Sequence, residues 1–198
     1  MVKQAKYIAL FRRRREGKTN YRRRKKAVVS RRPLLYVFVS GKNTSIQIIS
    51  PRTGGDKVLA SASSRELLGF GWKSSRRSIP GAYLTGLLLG ARATSAGIKD
   101  AILYTNVRAY HSGGRMAAAV KGIVDAGFKL PVGEESLPKE DRVSGKHVAE
   151  FAAKLKETDA DRYKSRFSSL LKAGVKPEEL PLHFEAAKAK ILKVKAEK

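Results

Sequence analysis

The chain has 198 residues, with 42 Lys or Arg against 17 Asp or Glu, so its formal net charge is +25. This length suits one domain with extensions, and an apolar fraction of 42% is enough to build a core. The absence of cysteine excludes disulfides, thiolate metal sites and thiol nucleophiles. So large an uncompensated charge indicates a polyanionic partner.

Membrane and metal functions find no support in the sequence. The longest strongly apolar stretch, residues 82–91, is about half of the roughly 20 residues that a membrane span needs. The basic N-terminus lacks an apolar signal core, so we expect a cytoplasmic rather than a secreted protein. A mitochondrial presequence is also Arg-rich and acid-poor, but the long Arg blocks favour a binding arm. The three histidines are scattered, and we expect neither a metal, a cofactor nor a small-molecule substrate.

The first predicted unit, residues 1–32, is a basic N-terminal extension with fourteen Lys or Arg and one acid. Such dense like charge is typical of an arm that lacks fixed structure when free and becomes ordered on phosphates. Tyr7, Phe11 and Tyr21 interleave with the cations. These rings either stack on unpaired bases or anchor the arm to protein, and the sequence does not choose between the two.

The second unit, residues 33–130, is predicted to be an α/β core. Short apolar runs at 34–40, 45–50 and 57–63, separated by turn residues, predict three antiparallel strands. The first strand is apolar on both faces, so we expect helices on one side of the sheet or on both.

A helical pattern follows the three strands. Ser78 is the predicted N-cap, Pro80 falls in the first turn and Gly97 ends the helix. Gly86 and Gly90 are expected to let this helix approach the sheet closely. A buried strand at 101–104 and a second helix ending at Gly127 complete a βββαβα order, with four residues of that helix predicted to face inward: Met116, Ala119, Val120 and Ile123.

The third unit, residues 131–198, is predicted to be a helical C-terminal extension. After a loop rich in Pro, Gly and charge, three helices are expected, the second capped by Asp159 and the third opening after Pro181. Their predicted apolar linings are Val148, Phe151, Ala152 and Leu155; Tyr163, Phe167, Leu170 and Leu171; and Phe184, Ala187 and Ile191. Because the charge here is nearly balanced, these helices are expected to face protein neighbours as well as RNA.

The acids of the core decide against catalysis. A βββαβ order resembles the ribonuclease H-like topology, whose nucleases gather carboxylates around paired metal ions. The only core acids are Asp56, Glu66, Asp100 and Asp125, and the first strand carries none. We therefore expect no enzyme, with a metal-dependent ribonuclease H-type nuclease acting through Asp56 and Asp100 as the alternative.

Two smaller cationic sites accompany the arm. Lys73, Arg76 and Arg77 precede the first core helix, and a loop with Arg108, His111 and Arg115 precedes the second. Exposed N–H groups at helix starts bind phosphate, although the second loop is equally explained as a connecting turn. Trp72 is expected to be a packing anchor. RNA is favoured over DNA because the chain shows no recognition helix or dimer signature.

Four segments together resemble one ribosomal protein family: RRRREGKTNYRRRK, AYLTGLLLGAR, AAAVKGIVDAGFKLP and DRYKSRFSSLLKAGVKPEEL. This is large-subunit ribosomal protein eighteen, the 5S rRNA-binding family, in its archaeal and eukaryotic form. The resemblance implies a ribonuclease H-like mixed sheet without catalytic acids, a basic arm on 5S rRNA, and contacts with large-subunit rRNA and ribosomal protein five. Where relatives usually carry a leucine-aspartate-x-glycine turn, this chain reads LYTN at 103–106, so the loop through His111 is expected to differ in shape.

The leading hypothesis is a structural protein of the large subunit that joins 5S rRNA to the large-subunit rRNA in the central protuberance. A weaker alternative is a basic nucleic-acid chaperone with no preferred partner. The predicted RNA-binding residues are Arg12, Arg13, Arg14, Arg15, Lys18, Tyr21, Arg22, Arg23, Arg24, Lys25, Lys26, Arg31, Arg32, Lys73, Arg76, Arg77, Arg108, His111 and Arg115.

Overall fold

Four strands form one mixed sheet within residues 9–52 and 55–196, which the computed structural model describes. The strands are Leu34–Val39 (β1), Thr44–Ser50 (β2), Lys57–Ser63 (β3) and Ile102–Leu103 (β4). They lie in the order β3-β2-β1-β4, with β1, β2 and β3 antiparallel as predicted and β4 parallel to β1. The α/β class and the ribonuclease H-like mixed sheet are thereby confirmed. Tyr7, Thr53 and Gly54 of the predicted arm and turn lie outside the described residues.

Helix α3 (Ile79–Ser95) makes the crossover that a parallel β4 requires. It begins and ends where the sequence predicts. The Ser78 hydroxyl oxygen accepts a 3.3 Å hydrogen bond from the Gly81 N–H, and Gly97 follows the helix with a φ of 70°. The helix is buried along most of its length because the sheet, α4 and the last helix of the chain surround it.

Helix α4 (Arg115–Asp125) packs against α3 at very short range. A Cβ on Gly86 or on Gly122 would collide with a backbone carbonyl oxygen of the facing helix. The prediction that Gly86 and Gly90 face the sheet is therefore wrong: both face α4, where two backbones come closest. The predicted inward residues of α4 are all buried, namely Met116, Ala119, Val120 and Ile123.

Strand β4 is shorter than the predicted 101–104. Ile102 and Leu103 alone pair with β1, and both are partly buried. The Tyr104 N–H still donates to the Leu35 carbonyl oxygen at 2.8 Å, but the chain then turns away through Asn106, whose φ is 53°. A left-handed residue so close to the pairing ends the strand.

Basic helix α2 (Tyr21–Val29) lies on the outer face of the sheet and follows the short helix α1 (Arg12–Arg15). Ala27 packs there against a small buried cluster of Leu34, Ile49 and Tyr104. Helices α3 and α4 cover the other face, so both faces of β1 are covered, as the apolar strand predicted. The arm differs from expectation, since two of its segments are helical rather than without fixed structure.

The C-terminal residues add further helices. They are Glu140–Ser144 (α5), Lys146–Thr158 (α6), Ala160–Arg166 (α7), Ser168–Lys172 (α8) and Leu180–Ala196 (α9). The predicted second helix is split into α7 and α8, and α5 was not predicted. The Asp159 cap is confirmed, because its carboxylate accepts a 3.0 Å hydrogen bond from the Arg162 N–H. No helix in the described part of the chain is both long and apolar enough to cross a bilayer.

Helix α9 is part of the main core. Phe184, Ala187 and Ile191 are buried against α3, as their predicted lining role requires. The Phe184 ring lies 6.5 Å from the ring of Trp72, centroid to centroid, in an edge-to-face contact. Trp72 is fully buried, which confirms it as a packing anchor. By contrast, Phe151 of α6 is 47% exposed, so the prediction that it faces inward is wrong.

Candidate nucleic-acid interface

Most residues that the sequence assigns to RNA binding lie at the surface. The exceptions are Arg24, Arg76 and Arg108, which are partly buried. The exposed members are Arg12, Arg13, Arg14, Arg15, Lys18, Tyr21, Arg22, Arg23, Lys25, Lys26, Arg31, Arg32, Lys73, Arg77, His111 and Arg115.

The start of α2 is fixed to the loop that follows β4. The Asn20 side chain caps α2 by accepting a 3.1 Å hydrogen bond from the Arg23 N–H. The Asn106 side-chain oxygen accepts from the Asn20 N–H at 3.1 Å, and its side-chain nitrogen donates to the Lys18 carbonyl oxygen at 2.8 Å. The capping residue is thus itself held by the core.

Two arginines of α2 are turned toward the core. The Arg23 guanidinium donates to the Thr105 hydroxyl at 3.2 Å and to the Asn106 carbonyl oxygen at 2.9 Å. The Arg24 guanidinium pairs with the Asp56 carboxylate. These cations are partly neutralised or hydrogen-bonded within the protein.

The aromatic residues of the arm contact each other. The rings of Phe11 and Tyr21 lie 5.2 Å apart, centroid to centroid, and link α1 to α2. Neither ring belongs to the buried core clusters, and Phe11 is 72% exposed. The sequence left open base stacking and anchoring of the arm to the protein core or to another protein. Because neither ring packs on a described core cluster, base stacking and a contact with another protein remain the open roles.

One residue from each of the two smaller cationic sites, Arg77 and Arg115, lines a common groove. A groove of about 580 Å³ lies where the starts of α3 and α4 face the C-terminal helices. Among the described residues, its charged and titratable lining consists of Arg77, Arg115, Arg142 and His147, with no carboxylate. The floor is apolar, with Ile79, Pro80, Val148, Leu170 and Leu180.

A second groove of about 430 Å³ adjoins the first. The two share Ser74, Ser75, Arg77 and Leu170 in their linings. The second groove adds Lys42, Lys73 and Arg76, and no described carboxylate lines it either. Sequence reasoning missed Lys42, Arg142 and His147, because they come from distant segments that only the tertiary fold brings to the groove.

Arginines also follow the edge of the sheet at which the parallel strands β1 and β4 end. Arg23 is bound at residues 105–106 after β4. Arg108 donates to the Val39 carbonyl oxygen at 2.8 Å and lies 4.3 Å above the Phe38 ring. Arg77 donates to the Gly41 carbonyl oxygen at 2.9 Å. This edge therefore links α2 to the cationic grooves.

His111 and Arg108 do not line either groove. Arg108 contacts the Phe38 ring and donates to the end of β1, and His111 is exposed. Sequence reasoning also missed Asn106, the last residue of the LYTN segment. Asn106 takes a left-handed conformation, which glycine adopts freely and asparagine tolerates better than most residues.

The core carboxylates do not converge. Asp56 pairs with Arg24, and Asp100 lies 3.7 Å from Arg32. Asp125 accepts a 2.7 Å hydrogen bond from the Tyr83 hydroxyl. Burial, followed by this bond, raises the pKa of Tyr83 well above its ordinary value. Within the described residues, no group of three or more His, Asp or Glu side chains is placed to hold a metal ion.

Comparison with known proteins identifies the family. A family model described as "Ribosomal large subunit proteins 60S L5, and 50S L18" matches residues 5–112. The large ribosomal subunit protein uL18 of Thermofilum pendens is 44% identical over 191 residues, which cover 96% of this chain and 97% of that protein. The chain belongs to the L18 family of large-subunit ribosomal proteins. Its similarity to uL18 of Caldivirga maquilingensis is of the same order, 46% over 193 residues, covering 97% of this chain and 93% of that protein.

L18 proteins are structural components of the ribosome and not enzymes, which confirms the expectation drawn from the core acids. The nuclease alternative is therefore abandoned. Membership gives the chain a place in the large ribosomal subunit, with ribosomal RNA and other ribosomal proteins as its partners. The grooves and the outer side of the basic helix are surfaces of the described residues on which positive charge is concentrated.

Proposed function

We propose that this L18 protein binds 5S rRNA and attaches it to the large-subunit rRNA in the central protuberance. The observation that carries the proposal is the distribution of charge over the folded surface. The arm has thirteen more cations than acids, and in the part of the chain that the structure describes both grooves are lined by cations without a carboxylate. Arginine and lysine on such surfaces neutralise phosphates and release counterions, which is the main sequence-independent source of RNA affinity.

Two separate cationic surfaces suit a protein that joins two RNA molecules. The arm and α2 form one surface, and the grooves between the core and the C-terminal helices form the other. In this proposal the arm contacts 5S rRNA, and the grooves with Lys73, Arg76, Arg77 and Arg115 contact a further RNA segment. Arg108 stabilises the edge between the two surfaces through Phe38.

A binding titration tests the function. Labelled 5S rRNA is titrated with the protein at several salt concentrations, with unfractionated tRNA as competitor. We expect unlabelled 5S rRNA to displace the labelled RNA at far lower concentration than tRNA does. We also expect log K to fall steeply as log salt rises. Equal competition by tRNA would contradict the proposal and favour a chaperone without a preferred RNA. Sequencing the RNA that copurifies from native cells provides the matching test in vivo.

The protein neighbour is part of the same proposal. The family resemblance implies ribosomal protein five, which shares the 5S particle. The nearly balanced charge of residues 130–198, a net of +3, is compatible with a protein contact there. Crosslinking of purified large subunits, followed by mass spectrometry, should recover peptide pairs between the two proteins. Crosslinks only to other neighbours would remove protein five from the proposal.

A further inference from the structure

The helical state of α2 needs an explanation from outside the helix. The segment has nine residues, YRRRKKAVV, with five consecutive cations and two β-branched residues. An isolated helix shorter than about 12 residues is marginal in water, and like charges at i,i+3 and i,i+4 destabilise it further. Because the sequence alone disfavours the helix, its contacts with the core must stabilise it.

Those contacts all lie on one side of the helix. Asn20, Arg23, Arg24 and Ala27 follow a helical spacing and form the inner face. Asn20 and Arg23 bond to residues 105–106, Arg24 pairs with Asp56, and Ala27 packs on the buried cluster under the helix. This face spans nearly two turns.

Asn106 is the centre of this attachment. Its side-chain oxygen also accepts a 3.2 Å hydrogen bond from the buried Tyr104 hydroxyl, which orients the amide toward the arm. The same amide bonds both the Lys18 carbonyl and the Asn20 N–H. A single uncharged side chain thus connects the core to the residue that caps α2.

The opposite side of α2 carries exposed cations without an ion pair in the described part of the chain. Arg22, Lys25 and Lys26 are exposed, and none of them forms an ion pair within the described part of the chain. Their i, i+3 and i+4 spacing places their Cβ atoms about 5–6 Å apart on one stripe. This stripe faces away from the sheet.

We propose that α2 is a preformed RNA-binding element in which Asn106 and Asp56 are positioning residues. Arg23 and Arg24 anchor the helix to the core, and Arg22, Lys25 and Lys26 contact RNA phosphates. The arm is thus divided into anchoring and contacting cations, rather than acting as a uniform flexible polycation. The RNA part of this inference rests on the proposed function; the positioning part does not.

Hydrogen exchange without RNA tests the positioning. Asn106→Gly keeps a residue suited to the left-handed backbone and removes only the amide, so the loop is preserved. We expect the amides of residues 23–29 to exchange about tenfold faster or more, as the loss of two hydrogen bonds implies. Unchanged exchange would overturn the role of Asn106. If that variant does not fold, Asp56→Asn tests the attachment of α2 through Arg24, with Asp161→Asn as the charge-matched control, and unchanged exchange in Asp56→Asn would overturn the anchoring of α2.

Binding of 5S rRNA at several salt concentrations tests the division of the cations. Arg22→Gln/Lys25→Gln/Lys26→Gln should make the negative slope of log K against log salt shallower by about two to three, roughly 0.7–0.9 for each phosphate that is no longer neutralised. Arg23→Gln/Arg24→Gln and Asn106→Gly should lower the affinity with little change in slope. The control Lys154→Gln/Lys164→Gln/Lys172→Gln changes the net charge by the same amount as the triple variant and is expected to keep the slope.

The outcomes separate the two proposals. An equal reduction of the slope in the double and triple variants would overturn the division of cations. If the wild-type protein prefers no RNA, the proposed function fails, and the exchange data still decide whether Asn106 holds α2. Faster exchange in Asn106→Gly together with a preserved salt slope supports the whole inference.

Discussion

Asn106 shows how one side chain connects a conformational constraint to a surface. Its φ of 53° is costly for most residues but acceptable for asparagine, and glycine would satisfy the backbone equally well. Only asparagine also supplies an amide that bonds Lys18 and Asn20. The asparagine side chain at this position therefore has a structural role beyond tolerating the left-handed backbone.

Glu66 gives a test at the residue scale. Burial alone would raise the pKa of Glu66, but the Arg92 guanidinium and the Ser63 N–H, which donates at 2.8 Å, hold it below the ordinary value of 4.5. A carboxyl with a lowered folded-state pKa stabilises the protein above its unfolded pKa. This contribution is lost as the pH falls through the folded-state pKa.

We therefore expect Glu66→Gln to lower the urea midpoint near neutral pH, with the difference from wild type shrinking as the pH falls below about 4.5. Urea unfolding at several pH values measures this. Glu150→Gln, at an exposed position of α6, is the control and should show little effect. A difference that persists unchanged into acid would contradict the charge-based explanation.

At the scale of elements, the α3–α4 contact depends on glycine. Replacing a helical glycine by alanine ordinarily favours the helix by about 1 kcal/mol. At Gly86 the added methyl would collide with the Ala119 carbonyl oxygen, so we expect Gly86→Ala to destabilise the fold by about 1–3 kcal/mol or more. Urea unfolding measures the change. Gly41→Ala, where a Cβ meets open space, is the control. If Gly86→Ala were as stable as Gly41→Ala, the close approach of α3 and α4 would not require glycine at position 86.

Helix α9 tests where the core ends. Leu180, Phe184 and Ile191 are buried in the same cluster as the sheet and α3. Each contributes about 1.5–3 kcal/mol through burial, a total comparable with the roughly 5–15 kcal/mol stability of a typical domain. We expect deletion of residues 180–198 to abolish cooperative thermal unfolding, as followed by circular dichroism. A cooperative transition in the truncated protein would mean that the core folds without α9, in agreement with the sequence division at residue 130.

For the whole molecule, we expect the arm to contribute to RNA affinity and the core to contribute to folding stability. Deleting residues 1–26 removes twelve cations but leaves the main buried cluster intact. We expect cooperative melting to persist. The negative slope of log K against log salt for 5S rRNA should become shallower by about 0.7–0.9 for each phosphate that the arm neutralises in the full-length protein. An unchanged slope would remove the arm as a main RNA-binding surface, and loss of melting would show that α2 is needed for folding.

The sequence by itself determined most of the local structure and the nature of the partner. The strands at residues 34–63, both ends of α3 and the inward face of α4 follow from apolar periodicity and from turn and capping residues, which act over a few positions. The excess of charge is a property of composition, so it indicated a polyanion without any fold. Four distinctive segments indicated the family before the comparisons showed it.

Only the tertiary structure decided how distant segments meet. The helix at residues 21–29 is disfavoured locally and exists because Asn106, Asp56 and the outer sheet face stabilise it. Lys42, Arg142 and His147 join predicted cations in the grooves because the C-terminal helices pack against the core. Gly86 faces α4 rather than the sheet for the same reason. Periodicity shows which face of a segment is buried, but the partner of that face depends on contacts between residues far apart in the chain.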